Sequence, residues 1–138
     1  MAGIRMRPPC ELVVKYVLPT YRSLIAKELI ETFKFSQVAA AKELGTTQAA
    51  ISQYVYSKRG DKRIKLLESV PMIRSSAKKL AKGIANKEIN STQAMLEFCR
   101  VCMALRQHKV ICKLHRELLT LPSICDLCPP RSRQSRKV

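Results

Sequence analysis

The chain has 138 residues, with 26 Lys and Arg against 10 Asp and Glu, a formal charge of +16 at neutral pH, and 46% hydrophobic residues. That apolar fraction suits one compact domain, or a small domain with a second lobe, and argues against disorder for the bulk of the chain. No apolar run is long enough to span a bilayer and the segment after Met1 has no signal-peptide core, so the expectation is a soluble cytoplasmic protein without a membrane partner.

Residues 1–9, with Pro8 and Pro9, read as a flexible arm. Residues 11–33 are helical in pattern, and Pro19 either kinks that stretch or opens a new helix. Leu24, Ile25, Leu29 and Phe33 give it an inward stripe. Ser36 caps a helix over 36–44. Thr47 caps a second over 47–57, which the run Ser57-Lys58-Arg59-Gly60 closes. Gly60-Asp61-Lys62-Arg63 reads as a turn. Pro71 opens a helix to about Asn86, with Ile73, Ala77, Leu80 and Ile84 inward and Lys78, Lys79 and Lys82 outward. Asn90 with Gln93 forms a capping box for a helix to about Arg106, with Met95, Phe98, Cys99, Cys102 and Leu105 along one side. A last helical segment spans Cys112 to Leu119, and Pro129-Pro130 ends the folded part. The run from Leu12 to Val17 is the one candidate strand, so the predicted class is all-α. The predicted division is an arm at 1–9, a helix-turn-helix bundle at 10–70, a helical cysteine-rich dimerisation lobe at 71–128, and a disordered basic tail at 129–138.

The most informative stretch is QVAAAKELGTTQAAISQYVY, residues 37–56. Ala41 is small where one helix must let another cross closely. Gly45 falls where a tight turn favours positive φ. Thr47 is placed to accept from the free amides of the second helix. Ile51 lies on the inward face with Tyr54 and Val55. The outward face is then Ala49, Ser52, Gln53 and Tyr56, with Gln48 at its entrance, and none of these carries a charge. Such a surface suits base edges in a major groove. Lys58, Arg59, Lys62 and Arg63, just beyond it, are expected against the sugar-phosphate backbone. The alternative is two ordinary amphipathic helices around a glycine turn, followed by a solvated basic turn.

The run from Pro8 to Gly60, through SQ at 36–37, the AAAKELG run and TTQAAISQY, resembles the N-terminal part of archaeal Cro/cI-like (XRE-class) regulators. It is most similar to the helix-turn-helix domain fused to thiamine-phosphate synthase-like domains in archaea. The resemblance implies a repressor or activator that binds operator DNA. Thr47, Gln48, Ala49, Ser52, Gln53 and Tyr56 match the groove-facing positions, and Ala41, Gly45 and Ile51 the structural ones. A cysteine-rich segment stands here in place of the vitamin-binding domain, so a thiamine-phosphate effector is not expected and the effector is left open.

That segment contains Cys99-x2-Cys102, Cys112-x2-His115 and Cys125-x2-Cys128, three ligand hooks in thirty residues. Residues three apart share a helical face, so Cys99 and Cys102 can both reach one ion. Tetrahedral zinc fits these donors, as does a cubane iron–sulfur cluster on four of the cysteines. A disulfide-stapled lobe and plain core packing stay open. Six donors exceed the four either centre needs. Cys10 is expected to be buried and not a ligand.

The expected function is a sequence-specific transcription regulator bound to double-stranded DNA. It is expected to act as a homodimer, with a C-terminal metal or iron–sulfur centre able to sense redox or metal state. The alternatives are a regulator with purely structural zinc and a basic RNA-associated protein. The scarcity of aromatics weighs against the latter. An enzyme is not expected: there is no phosphate-cradling glycine loop and no βαβ context for C-x-x-C redox chemistry.

Overall fold

The computed structural model describes residues 7–56 and 62–118, and every regular element among them is helical. α1 (Pro9–Leu12), a π-helical turn (Val13–Val17) and α2 (Leu18–Glu31) follow one another without a break. Pro19 explains the middle piece. Its ring crowds the carbonyl one turn back and it lacks an amide to donate, and the turn just before it is wound more loosely. The Leu18 amide donates to the Val13 carbonyl five residues earlier, and the Thr20 hydroxyl donates to the Tyr16 carbonyl at 2.8 Å. Pro19 thus stands in the first turn of α2, as the second of the two expected readings has it. The candidate strand from Leu12 to Val17 is thus helical: Leu12, Val13, Tyr16 and Val17 are buried while Val14 and Lys15 are exposed, a helical and not an alternating period.

α3 (Gln37–Leu44) and α4 (Gln48–Tyr56) pack on α2 and on each other. α5 (Lys62–Glu68) occupies part of the turn expected over 60–63: Lys62 and Arg63 are its first residues. Leu67, fully buried, holds α5 to the core. α6 (Pro71–Ala85) makes the most extensive helix–helix contact in the fold, along α2. α7 (Ser91–Gln107) and α8 (Val110–Leu118) close the bundle, α7 against α6 and α8 against α7 and α1.

One buried cluster runs from Leu12 in α1 through Leu29, Ile51, Leu67, Ile73 and Leu105 to Leu114 in α8. The boundary expected between residues 70 and 71 therefore falls between helices that share a core. The capping box at Asn90 and Gln93 forms in both directions, at 2.9 and 2.8 Å. The packed face of α7 differs from the expected stripe. Val101 and Leu105 are buried with Ala94, Phe98 and Cys102 beside them, whereas Met95 and Cys99 are exposed. Phe98 meets the Tyr21 ring at 5.3 Å between centroids, and that contact sets the rotation of α7.

A polar cluster crosses the same packing. The Tyr21 hydroxyl hydrogen-bonds with Ser76 Oγ at 2.7 Å, and Ser76 in turn donates to Glu97 Oε1 at 3.1 Å. Glu97 Oε2 lies 3.4 Å from both Lys79 Nζ and Arg100. Burial pushes the Tyr21 phenol up from 10.0 to about 12; the Ser76 hydrogen bond opposes this and the Glu97 charge adds to it.

Candidate nucleic-acid interface

The segment from Ser36 to Tyr56 is organised by its own local chemistry. Ser36 Oγ accepts from the Ala39 amide at 3.0 Å and starts α3. Ala40 and Ala41 are buried, small enough for α4 to approach. Gly45 ends the helix at φ 62° and ψ 36°, in the left-handed region, and the Thr46 amide returns to the Ala41 carbonyl at 3.0 Å. Thr47 Oγ1 then accepts from the Ala50 amide at 3.1 Å and opens α4. Each expected cap is in place.

Ile51 is fully buried and anchors α4 from below, with Tyr54 and Val55 half-buried against the same core. Ser23 of α2 donates to the Tyr54 carbonyl at 3.5 Å. The opposite side of α4 presents Gln48, Ala49, Gln53 and Tyr56 to solvent, with Ser52 half-buried among them. Tyr56 is 73% exposed, unusually open for an aromatic residue. Thr47 is exposed at the entrance to this face.

One feature of this face has no signal in the spacing. Gln48 Nε2 donates to Gln37 Oε1 at 2.7 Å, tying the first residue of α4 to the first residue of α3. The bond fixes the amide plane of Gln48 and leaves its own carbonyl and second N–H for another partner. A preset amide of this kind matches the paired donor and acceptor on an adenine edge.

The basic residues beyond α4 divide. Lys58 and Arg59, with the expected stop at 57–60, lie outside the described residues. Lys62 is exposed at the start of α5. Arg63 is drawn inward instead of toward solvent: its guanidinium meets Glu117 of α8 at 3.0 Å and lies 5.5 Å from the centre of the Tyr16 ring. Arg63 thus clamps α5 to α8 and to the first helical segment.

Of the expected metal donors, those among the described residues lie on two helices. Cys99 and Cys102 sit three apart on α7, the first exposed and the second half-buried; Cys112, on α8, is half-buried. His115 is buried, its Nε2–H donating to the Arg7 carbonyl. Cys125 and Cys128 lie outside the described residues. Among those described, no three His, Cys, Asp or Glu side chains gather into a group that could hold a metal ion. Cys10 is exposed rather than buried, since the first turn of α1 turns Pro9 and Leu12 inward and leaves Cys10 and Glu11 between them outside.

No helix among the described residues is long and apolar enough to cross a membrane. Comparisons with protein-family models, with curated proteins and with solved structures return no match to this chain.

Proposed function

We propose that this chain is a sequence-specific DNA-binding regulator whose α4 enters the major groove as the second helix of a Cro/cI-like helix-turn-helix. The observation that carries this reading is the face of Gln48, Ala49, Ser52, Gln53 and Tyr56. It is uncharged, exposed except for the half-buried Ser52, and anchored from behind by Ile51, with the Gln48 amide already oriented by Gln37. Phosphate attraction from a charge of +16 supplies affinity without choice; the α4 face supplies choice. Two copies on adjacent half-sites, one helical turn apart, multiply both.

The test is selection of bound duplexes from a random-sequence pool by the full chain. The expected result is one enriched motif with two related half-sites. Recovery of unenriched sequence, or preference for structured RNA in direct competition, overturns the reading.

A metal or iron–sulfur centre in the cysteine-rich segment belongs to the same proposal, supported by the three two-residue spacings. Because the donors of α7 and α8 do not converge among the described residues, such a centre would draw on Cys125 and Cys128. Anaerobically purified protein is expected to carry stoichiometric zinc, or iron with acid-labile sulfide. Replacement of Cys99 and Cys102 by Ser is expected to release it. Metal-free protein with unchanged folding and DNA affinity refutes this part alone.

A further inference from the structure

The geometry points to a second phosphate-binding surface on α6, a ridge formed by Arg74, Lys78 and Lys82 that grips the DNA backbone outside the base pairs read by α4. α6 carries four basic residues and no acidic one. Lys79 is engaged by Glu97. Arg74, Lys78 and Lys82 are all exposed and follow one another at intervals of four, so they stand in one row about 6 Å apart along the axis. Among the described residues, no ion pair joins any of the three to a carboxylate.

Local electrostatics disfavours the first part of this row, whereas Lys82, in the last turn, suits the helix dipole. Like charges four residues apart repel along a helix. Arg74 also stands near the N-terminal end of α6, where the helix dipole favours an anion. Nothing in the fold requires it, since the buried face of α6 is carried by Ile73, Ala77, Leu80 and Ala81. A row of uncompensated cations that the fold does not need is one that an external polyanion would offset.

The position of α6 makes that contact an addition to the α4 contact. Ser23 of α2 bonds to α4, and Tyr21 of α2 bonds to α6. α4 and α6 thus both pack along α2. A ridge on a helix other than α4 would add phosphate contacts to those made around the groove that α4 enters. Duplex DNA as the occupant rests on the α4 reading; the polyanion site rests on the ridge alone.

The experiment measures affinity for a mixed-sequence duplex as a function of salt, using the full chain and two triple variants. The first replaces Arg74, Lys78 and Lys82 by Gln. The second, with the same change in net charge, replaces the exposed Lys65, Lys113 and Arg116 by Gln. The ridge variant is expected to lower the slope of log affinity against log salt by about 2.7, three contacts at about 0.9 each. The loss of affinity on a fourfold rise in salt then shrinks by about 40-fold. Circular dichroism is expected to show both variants fully helical, and the ridge variant no less thermostable, because repulsion has been removed. An unchanged slope in the ridge variant overturns the proposal, as does an equal fall in both variants. Stronger binding to structured RNA than to duplex overturns the occupant. Replacing Gln48 and Gln53 by Ala changes base preference and leaves the slope alone. If that change fails while the ridge result holds, the α4 reading falls and the ridge stands.

Discussion

At Gly45 the backbone takes φ 62°, and a Cβ added there meets nothing within 4 Å. The restriction is therefore one of backbone and not of space, which costs an L-residue about 1–2 kcal/mol. Gly45→Ala is expected to lower stability by about 1 kcal/mol, and Gly45→Asn by less, because Asn visits this region more readily. Urea denaturation measures both, and equal stability of the Ala variant contradicts the account. Among the described residues, the left-handed positions outside glycine are Lys34, Lys87 and Lys109, each in a turn that follows a helix. Lysine gives no warning of such a turn. At Lys34 the conformation is supported by its ammonium, which donates to the Glu31 carbonyl at 3.0 Å in the last turn of α2. Helix ends marked by Ser36, Thr47 and Asn90 were legible for the opposite reason: a cap is a bond between residues three apart, complete within the local sequence.

Among the elements, α4 was the most legible. Its inward residue, its cap and its outward face all follow from a 3.6-residue period with one fixed point, Ile51. Gln48→Ala and Gln53→Ala are expected to leave stability within about 0.5 kcal/mol. Each is expected to weaken the preferred duplex over a scrambled one by roughly 1–3 kcal/mol, measured by paired titrations. Equal loss on both duplexes assigns these residues to general affinity and counts against base reading. α7 was less legible because it is apolar almost all round. Met95, Leu96, Phe98, Cys99, Val101, Cys102, Met103 and Leu105 leave several possible stripes, and the period cannot choose among them. The choice falls to Tyr21 and α6, which take Phe98 and Val101 and leave Met95, Leu96, Cys99 and Met103 outside. α5 was missed altogether: it is a seven-residue helix after a glycine and an aspartate, too short to show a period.

At the scale of the whole molecule, Tyr21, Ser76 and Glu97 join α2, α6 and α7 through residues 55 and 21 positions apart. Burial keeps the Tyr21 phenol neutral up to about 12, against 10.0 for the ordinary group. Between those values the unfolded chain releases this proton and the folded chain retains it, so stability falls as pH rises through that window. Tyr21→Phe is expected to remove this component, seen as a shallower decline of the urea midpoint from pH 10 to 12 than in the parent chain. Identical declines would show that the phenol is not held neutral by the fold. The all-helical class, the caps, the glycine turn and the outward face of α4 were determined by the sequence alone, since each depends on residues within one or two helical turns. The tertiary structure decided the pairing of Gln37 with Gln48, the inward turn of Arg63 onto Glu117 and Tyr16, the rotation of α7 and the joining of α6 to α2 in one core. Each of these depends on which surfaces meet across a span of chain that no local spacing encodes.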